Sequence, residues 1–114
     1  MAAVALLVLI TFVTVSTLDD GAPAGGAADV SMVEMAFVPD PIDLAVSEAR
    51  LRIVNDGEVP HSLVITELGK GTPDLEPGAE LTLDLTDQAP GTYAVICDVP
   101  GHLEAGMETT LTLR

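Results

Sequence analysis

From residue 30 onward the chain alternates between apolar and polar residues in short runs, and this period of two constrains the fold more than any other feature. Leu51 and Ile53 alternate with Arg50 and Arg52, Leu81, Leu83 and Leu85 with Thr82, Asp84 and Thr86, and Leu111 and Leu113 with Thr110, Thr112 and Arg114. Side chains on a strand point to opposite faces in turn, so each run reads as a strand with one face in a core and one in water. Turn-forming clusters separate the runs: Asn55-Asp56-Gly57, Gly69-Lys70-Gly71, Glu76-Pro77-Gly78 and Pro90-Gly91. About seven strands at this spacing predict an all-β sandwich. The same parity puts His61 on the face of Leu63 and Ile65, and Cys97 on the face of Tyr93 and Val95. Both therefore point inward, from the ends of core strands.

Those two residues belong to a larger set. Cys97-Asp-Val-Pro-Gly-His102-Leu-Glu-Ala-Gly-Met107 places a thiol, an imidazole and a thioether on one loop with four residues in each gap. His61 and His102 are the only histidines and Cys97 the only cysteine, so one site uses the whole inventory. Taken singly, a lone cysteine is a small buried hydrophobe, a lone histidine a structural residue, and Met107 core packing like Met32 and Met35. Together, two His, one Cys and a Met are the trigonal ligand set with weak axial thioether of a blue-copper electron-transfer centre. Pro100-Gly101 and Ala105-Gly106 supply the turns that fold the loop back on one point.

Other chemistries fit less well. A catalytic zinc would take three of the ligands and an open position, leaving Met107 without a role. A binuclear copper centre needs a second cysteine, and a multicopper oxidase more histidines. A Cys97–His102 nucleophilic pair has only Asp98 as an orienting third group, and on a strand Asp98 points away from Cys97.

A length of 114 residues allows one domain, and its composition divides it into residues 1–18, 19–28 and 29–114. Residues 2–18 are uncharged apolar or hydroxyl residues, about 26 Å long as a helix; this is the length range of a signal peptide or a membrane anchor. Ala22-Pro23-Ala24 has the small residues of a cleavage site, and residues 19–28 are a Gly/Ala/Pro-rich flexible linker. Either outcome predicts export, to the periplasmic or extracellular side. Eighteen acidic residues against four basic ones give a net charge of −14. Nucleic acid is excluded as a partner, and a basic redox protein would be attracted.

Residues 30–114 resemble a small cupredoxin of the plastocyanin, azurin and rusticyanin group. Asn55-Asp-Gly-Glu-Val-Pro-His61-Ser62-Leu63 is similar to the family's first histidine segment, and Pro90-Gly-Thr-Tyr-Ala-Val-Ile-Cys97 through Met107 to its ligand loop, with the longer Cys-to-His gap of the rusticyanin and auracyanin type. The resemblance implies a Greek-key β-sandwich, a single type 1 copper ion, His61, Cys97 and His102 as equatorial ligands, and Met107 as the axial one. It implies a monomer that is not an enzyme but a one-electron carrier between redox partners such as a cytochrome or oxidase, with an apolar rim of Val99, Pro100, Gly101 and Leu103 around His102. Copper delivery or storage is the alternative function. Ser62 and Asp98 stand where Asn and Ser or Thr are frequent; since both follow inward-pointing ligands, they are expected to meet on the opposite side in a hydrogen bond that joins the two ligand segments.

Overall fold

A computed structural model describes residues 27–114. Nine strands follow in chain order: β1 (Ala27–Val33), β2 (Ala36–Val38), β3 (Ile42–Leu44), β4 (Arg50–Asn55), β5 (Val64–Ile65), β6 (Lys70–Gly71), β7 (Glu80–Asp84), β8 (Gly91–Ile96) and β9 (Glu108–Leu113). They form two sheets, β2-β1-β4-β7 and β3-β9-β8-β5-β6. The expected sandwich is present, with nine strands in place of about seven. The additional strands are the two- and three-residue ladders, which are too short to show alternation and exist because a neighbouring strand offers hydrogen-bond partners. Among the described residues no helix is long and apolar enough to cross a membrane, and the helix expected over residues 1–18 lies outside them. The first strand starts at Ala27, two residues ahead of the boundary read from composition.

The alternation reads out as burial. Leu51 and Ile53 of β4, Val95 of β8 and Leu111 and Leu113 of β9 are all at most 2% exposed. Each such side chain contributes about 1.5–3 kcal/mol on leaving water. Leu81 and Leu83, on the edge strand β7, are only half-buried, and Leu85 just beyond it is fully buried. At the start of β8 the Tyr93 hydroxyl donates to the Ala89 carbonyl at 2.6 Å, pinning the turn that precedes the strand.

Two pairings determine where the loops lie. β1 runs parallel to β4, with Met32 opposite Asn55, so the β1–β2 turn and the loop after β4 emerge at the same end. The Asp56 N–H donates to the Met32 carbonyl at 2.9 Å, and the Ser31 hydroxyl to Asp56 Oδ2 at 2.6 Å. β8 and β9 are antiparallel, with Ile96 opposite Glu108, so the Cys97–Met107 loop opens at that end too. The opposite end holds three of the four basic residues: Arg50 faces Asp84 across the ladder, Lys70 donates to the Asp84 carbonyl, and Arg114 pairs with Asp43. The carboxyl of Asp84 is held below its usual range first by the Thr86 hydroxyl and then by the Thr86 N–H.

Leu111 lies between the two sheets, opposite both Ile42 and Tyr93. Leu111→Ala should lower stability by about 2–5 kcal/mol, the cost of an incompletely collapsed core cavity, measured by urea denaturation. A loss below about 1 kcal/mol would show that the sheets do not pack there.

Candidate metal centre

The strand ends bring His61, Cys97 and His102 together, with their donor atoms all within 4.8 Å of one another. His61 Nδ1 is 3.2 Å from His102 Nδ1, and His102 Nδ1 is 3.5 Å from Cys97 Sγ. His61 and Cys97 are fully buried and His102 is half-buried. The ring centroids stand 5.0 Å apart at a tilt of 56°, so the rings meet edge to edge through nitrogen.

Each candidate ligand arrives by a separate local device. His61 precedes β5 and is paired in an isolated bridge with Leu75, its N–H to the Leu75 carbonyl at 3.1 Å and the Leu75 N–H to its own carbonyl at 2.8 Å. Cys97 follows β8 directly. The chain then turns at Val99–His102, where Pro100 and Gly101 (φ 86°) occupy the middle positions and the His102 N–H reaches the Val99 carbonyl at 3.0 Å. That is the residue pattern of a type II turn, in which only glycine takes the third position without strain. One helical turn follows and ends at Gly106 (φ 99°), with Met107 N–H to His102 C=O at 3.0 Å and Gly106 N–H to Leu103 C=O at 2.9 Å. This is a Schellman closure. It delivers Met107, fully buried, opposite Cys97, whose N–H donates to the Met107 carbonyl at 3.1 Å.

Two polar residues fasten the segments. Ser62 is buried beside Cys97; its N–H points at Sγ at 3.4 Å, and its hydroxyl donates to Asp98 Oδ1 at 2.5 Å while accepting the Asp98 N–H at 3.0 Å. The hydroxyl has one proton, so the nearer carboxylate takes it and Sγ, at 3.8 Å, does not. The expected link between the two ligand segments is therefore present. Asn55 is the second fastener, and the sequence reading assigned it only to a turn. Its Nδ2 donates to the Val59 and Leu75 carbonyls, both at 2.8 Å, and its Oδ1 accepts the Gly57 N–H at 2.9 Å. Asn55 thus holds both the approach to His61 and the strand segment opposite it. The only hint in the sequence was a polar residue at the parity of Leu51 and Ile53, at the end of that alternating run.

The carboxyl of Glu34, in the turn between β1 and β2, also reaches this end. Its Oε1 accepts the Glu58 N–H at 2.6 Å, the Val59 N–H at 3.3 Å and His61 Nε2 at 3.3 Å. The Glu58 N–H is the chief reason that this carboxyl sits below its usual range; desolvation opposes it, and His61 and the Val59 N–H add to the lowering.

Three donor atoms facing one another inside an apolar core repel unless a proton or a cation lies between them. Metal–nitrogen bonds near 2.0 Å and metal–sulfur bonds near 2.3 Å are long enough to meet across these gaps. One soft thiolate with two imidazoles suits copper. The matching family model, the cupredoxin-like domain, spans residues 3–112. The chain belongs to the cupredoxin-like family. This cupredoxin is 31% identical to auracyanin-B of Chloroflexus aurantiacus over 102 residues, 90% of its own length and 34% of that protein's. It is 48% identical to sheep (Ovis aries) ceruloplasmin over 40 residues, 35% of this chain and 4% of that protein. The chain thus spans about a third or less of these relatives' lengths. In fold it is similar to a dithionite-reduced auracyanin from Roseiflexus castenholzii, with a TM-score of 0.65 and 19% identity, covering 77% of this chain and 96% of that one. The cluster fits one type 1 copper ion.

Ser62→Ala removes the hydroxyl that joins the two ligand segments and leaves the Asp98 N–H without its partner. It should cost about 1–2 kcal/mol in urea denaturation of the metal-free protein, because Asp98 is exposed and water can replace part of the bond. An unchanged midpoint would show that the link carries no stability.

Proposed function

We propose that this cupredoxin is a one-electron carrier that holds a single copper ion through His61 Nδ1, Cys97 Sγ and His102 Nδ1, with Met107 as the axial ligand. The observation that supports this most directly is the gathering of the His61, Cys97 and His102 donor atoms within 4.8 Å of one another, with His61 and Cys97 fully buried. Copper supplies the change between Cu(II) and Cu(I), which a single N,N,S geometry accommodates in both states. The protein residues do the rest. The Ser62 N–H stabilises negative charge on Cys97 Sγ, the short loop resists rearrangement, and the core excludes water from His61 and Cys97. His102, the one half-exposed ligand, is the exit for the electron, and the exposed Pro100 and Leu103 beside it form the apolar docking rim, with Val99 beneath.

The surface charge supports a basic redox partner. Every acidic residue from Asp29 to Glu108 is exposed, and Arg50, Lys70 and Arg114 sit at the end away from the ligands. Glu34, Asp56, Glu58, Asp98 and Glu104 lie beside the ligand segments with no basic residue among them. A cytochrome or oxidase with a cationic face would be steered to this end. The reading includes a non-enzymatic, monomeric domain exported on residues 1–18, which act as signal or anchor, with residues 19–28 as tether and 29–114 as the cupredoxin domain. A delivery or storage protein is disfavoured by the burial of the donors, which a metal-transfer partner would have to reach.

Adding Cu(II) to the purified chain should give one equivalent of bound copper with an intense visible thiolate-to-copper band, bleached by dithionite and restored by oxidant over repeated cycles. Cys97→Ser should abolish the band and leave the sandwich folded. Copper bound without the band, or released on reduction, would refute the carrier reading. Electron exchange with a cationic cytochrome should slow as ionic strength rises, and a rate that is flat with salt would remove the steering argument.

A further inference from the structure

His61 can bind a metal through Nδ1 only if its single ring proton resides on Nε2, and something must hold it there. The obligation is strict, because Nδ1 lies 3.2 Å from His102 Nδ1, where a proton on the wrong nitrogen closes the site. The group facing Nε2 is the Glu34 carboxylate, at 3.3 Å. Its approach is built into the fold. The parallel β1–β4 pairing sets the turn holding Glu34 over the loop after β4, and the Glu58 and Val59 N–H groups fix the same oxygen. Gly57 leaves the space: a Cβ there would collide with Glu34 Oε1 and stand 3.0 Å from His61 Nε2.

We propose that Glu34 is the positioning residue for His61, holding the Nε2–H tautomer and ring orientation through its carboxylate and, as a charge joined to the metal site through the imidazole, lowering the reduction potential. The second half rests on the copper reading; the first does not. A carboxylate accepting from a ligating imidazole makes the ring a better donor. A more basic ligand and a nearby negative charge both favour Cu(II) over Cu(I). Glu34 touches neither metal nor electron partner and acts only through His61.

The test uses three variants of the full chain. Long-range ¹H–¹⁵N NMR on the metal-free protein reads the His61 tautomer directly. The parent chain should hold Nε2–H. Glu34→Gln, whose amide oxygen can still accept, should keep the tautomer and raise the reduction potential of the copper form. Glu34→Ala should give mixed tautomers and a Cu(II) affinity about 10–100-fold weaker in a chelator competition. Gly57→Ala retains the charge but displaces it, and should reproduce the Glu34→Ala tautomer mixture. A pure Nε2–H signal in both Glu34→Ala and Gly57→Ala overturns the positioning role. An unchanged potential in Glu34→Gln overturns the electrostatic one. Failure of the parent chain to bind copper would defeat the carrier reading and leave the tautomer result standing by itself.

Discussion

The metal end depends on the seam between the segment His61–Leu63 and the end of β8. The backbone there is only weakly laddered, through the single pair Val64–Ile96, so the seam is held by side chains. Ser62 reaches both Cys97 Sγ and Asp98, and Asn55 holds the other flank of the His61 segment through Val59 and Leu75. Two neutral side chains therefore fix the relative position of His61 and Cys97. Their burial makes the arrangement stiff, since a buried donor or acceptor that loses its partner costs about 1–3 kcal/mol. Among the described residues no buried side-chain nitrogen or oxygen lacks a partner.

That stiffness suits the proposed role of electron carrier. A site that rearranges between oxidation states loses time and energy to reorganisation, whereas one held by its surroundings does not. The Cys97–Met107 loop adds to this with a type II turn and a Schellman closure in succession, each of which consumes backbone groups that would otherwise seek water. The histidines divide the remaining task by burial. His61 is sealed and braced from behind by Glu34, and His102 meets the surface.

The sandwich itself tolerates a heavy load of like charge because the acids are spread over the surface in water, and Arg52 bridges Asp29 and Glu80 in the middle of the four-stranded sheet. Exposed pairs of this kind contribute little stability each. The apolar face of each strand holds the domain together, and the polar face carries its charge.

Alternation is a local property, so strands β4, β7, β8 and β9, the inward direction of His61 and Cys97, and the turn chemistry of Pro100-Gly101 and Gly106 were all legible from residue order alone, whereas β1 begins inside the stretch read as linker. The gathering of His61, Cys97 and His102 was legible because the chain contains a single cysteine and two histidines and spends them in one pattern. Even the Ser62–Asp98 bond followed from parity, since residues next to inward-pointing ligands must share the other side. Strand pairing is not local. The parallel β1–β4 and β3–β9 ladders, the pairing of β5 with β8, the bond from Asn55 to Leu75 and the arrival of Glu34 behind His61 join residues that are 20 to 69 positions apart. Only the packed sheets bring such residues within hydrogen-bond reach, because the free energy that aligns them comes from the whole core and not from either segment.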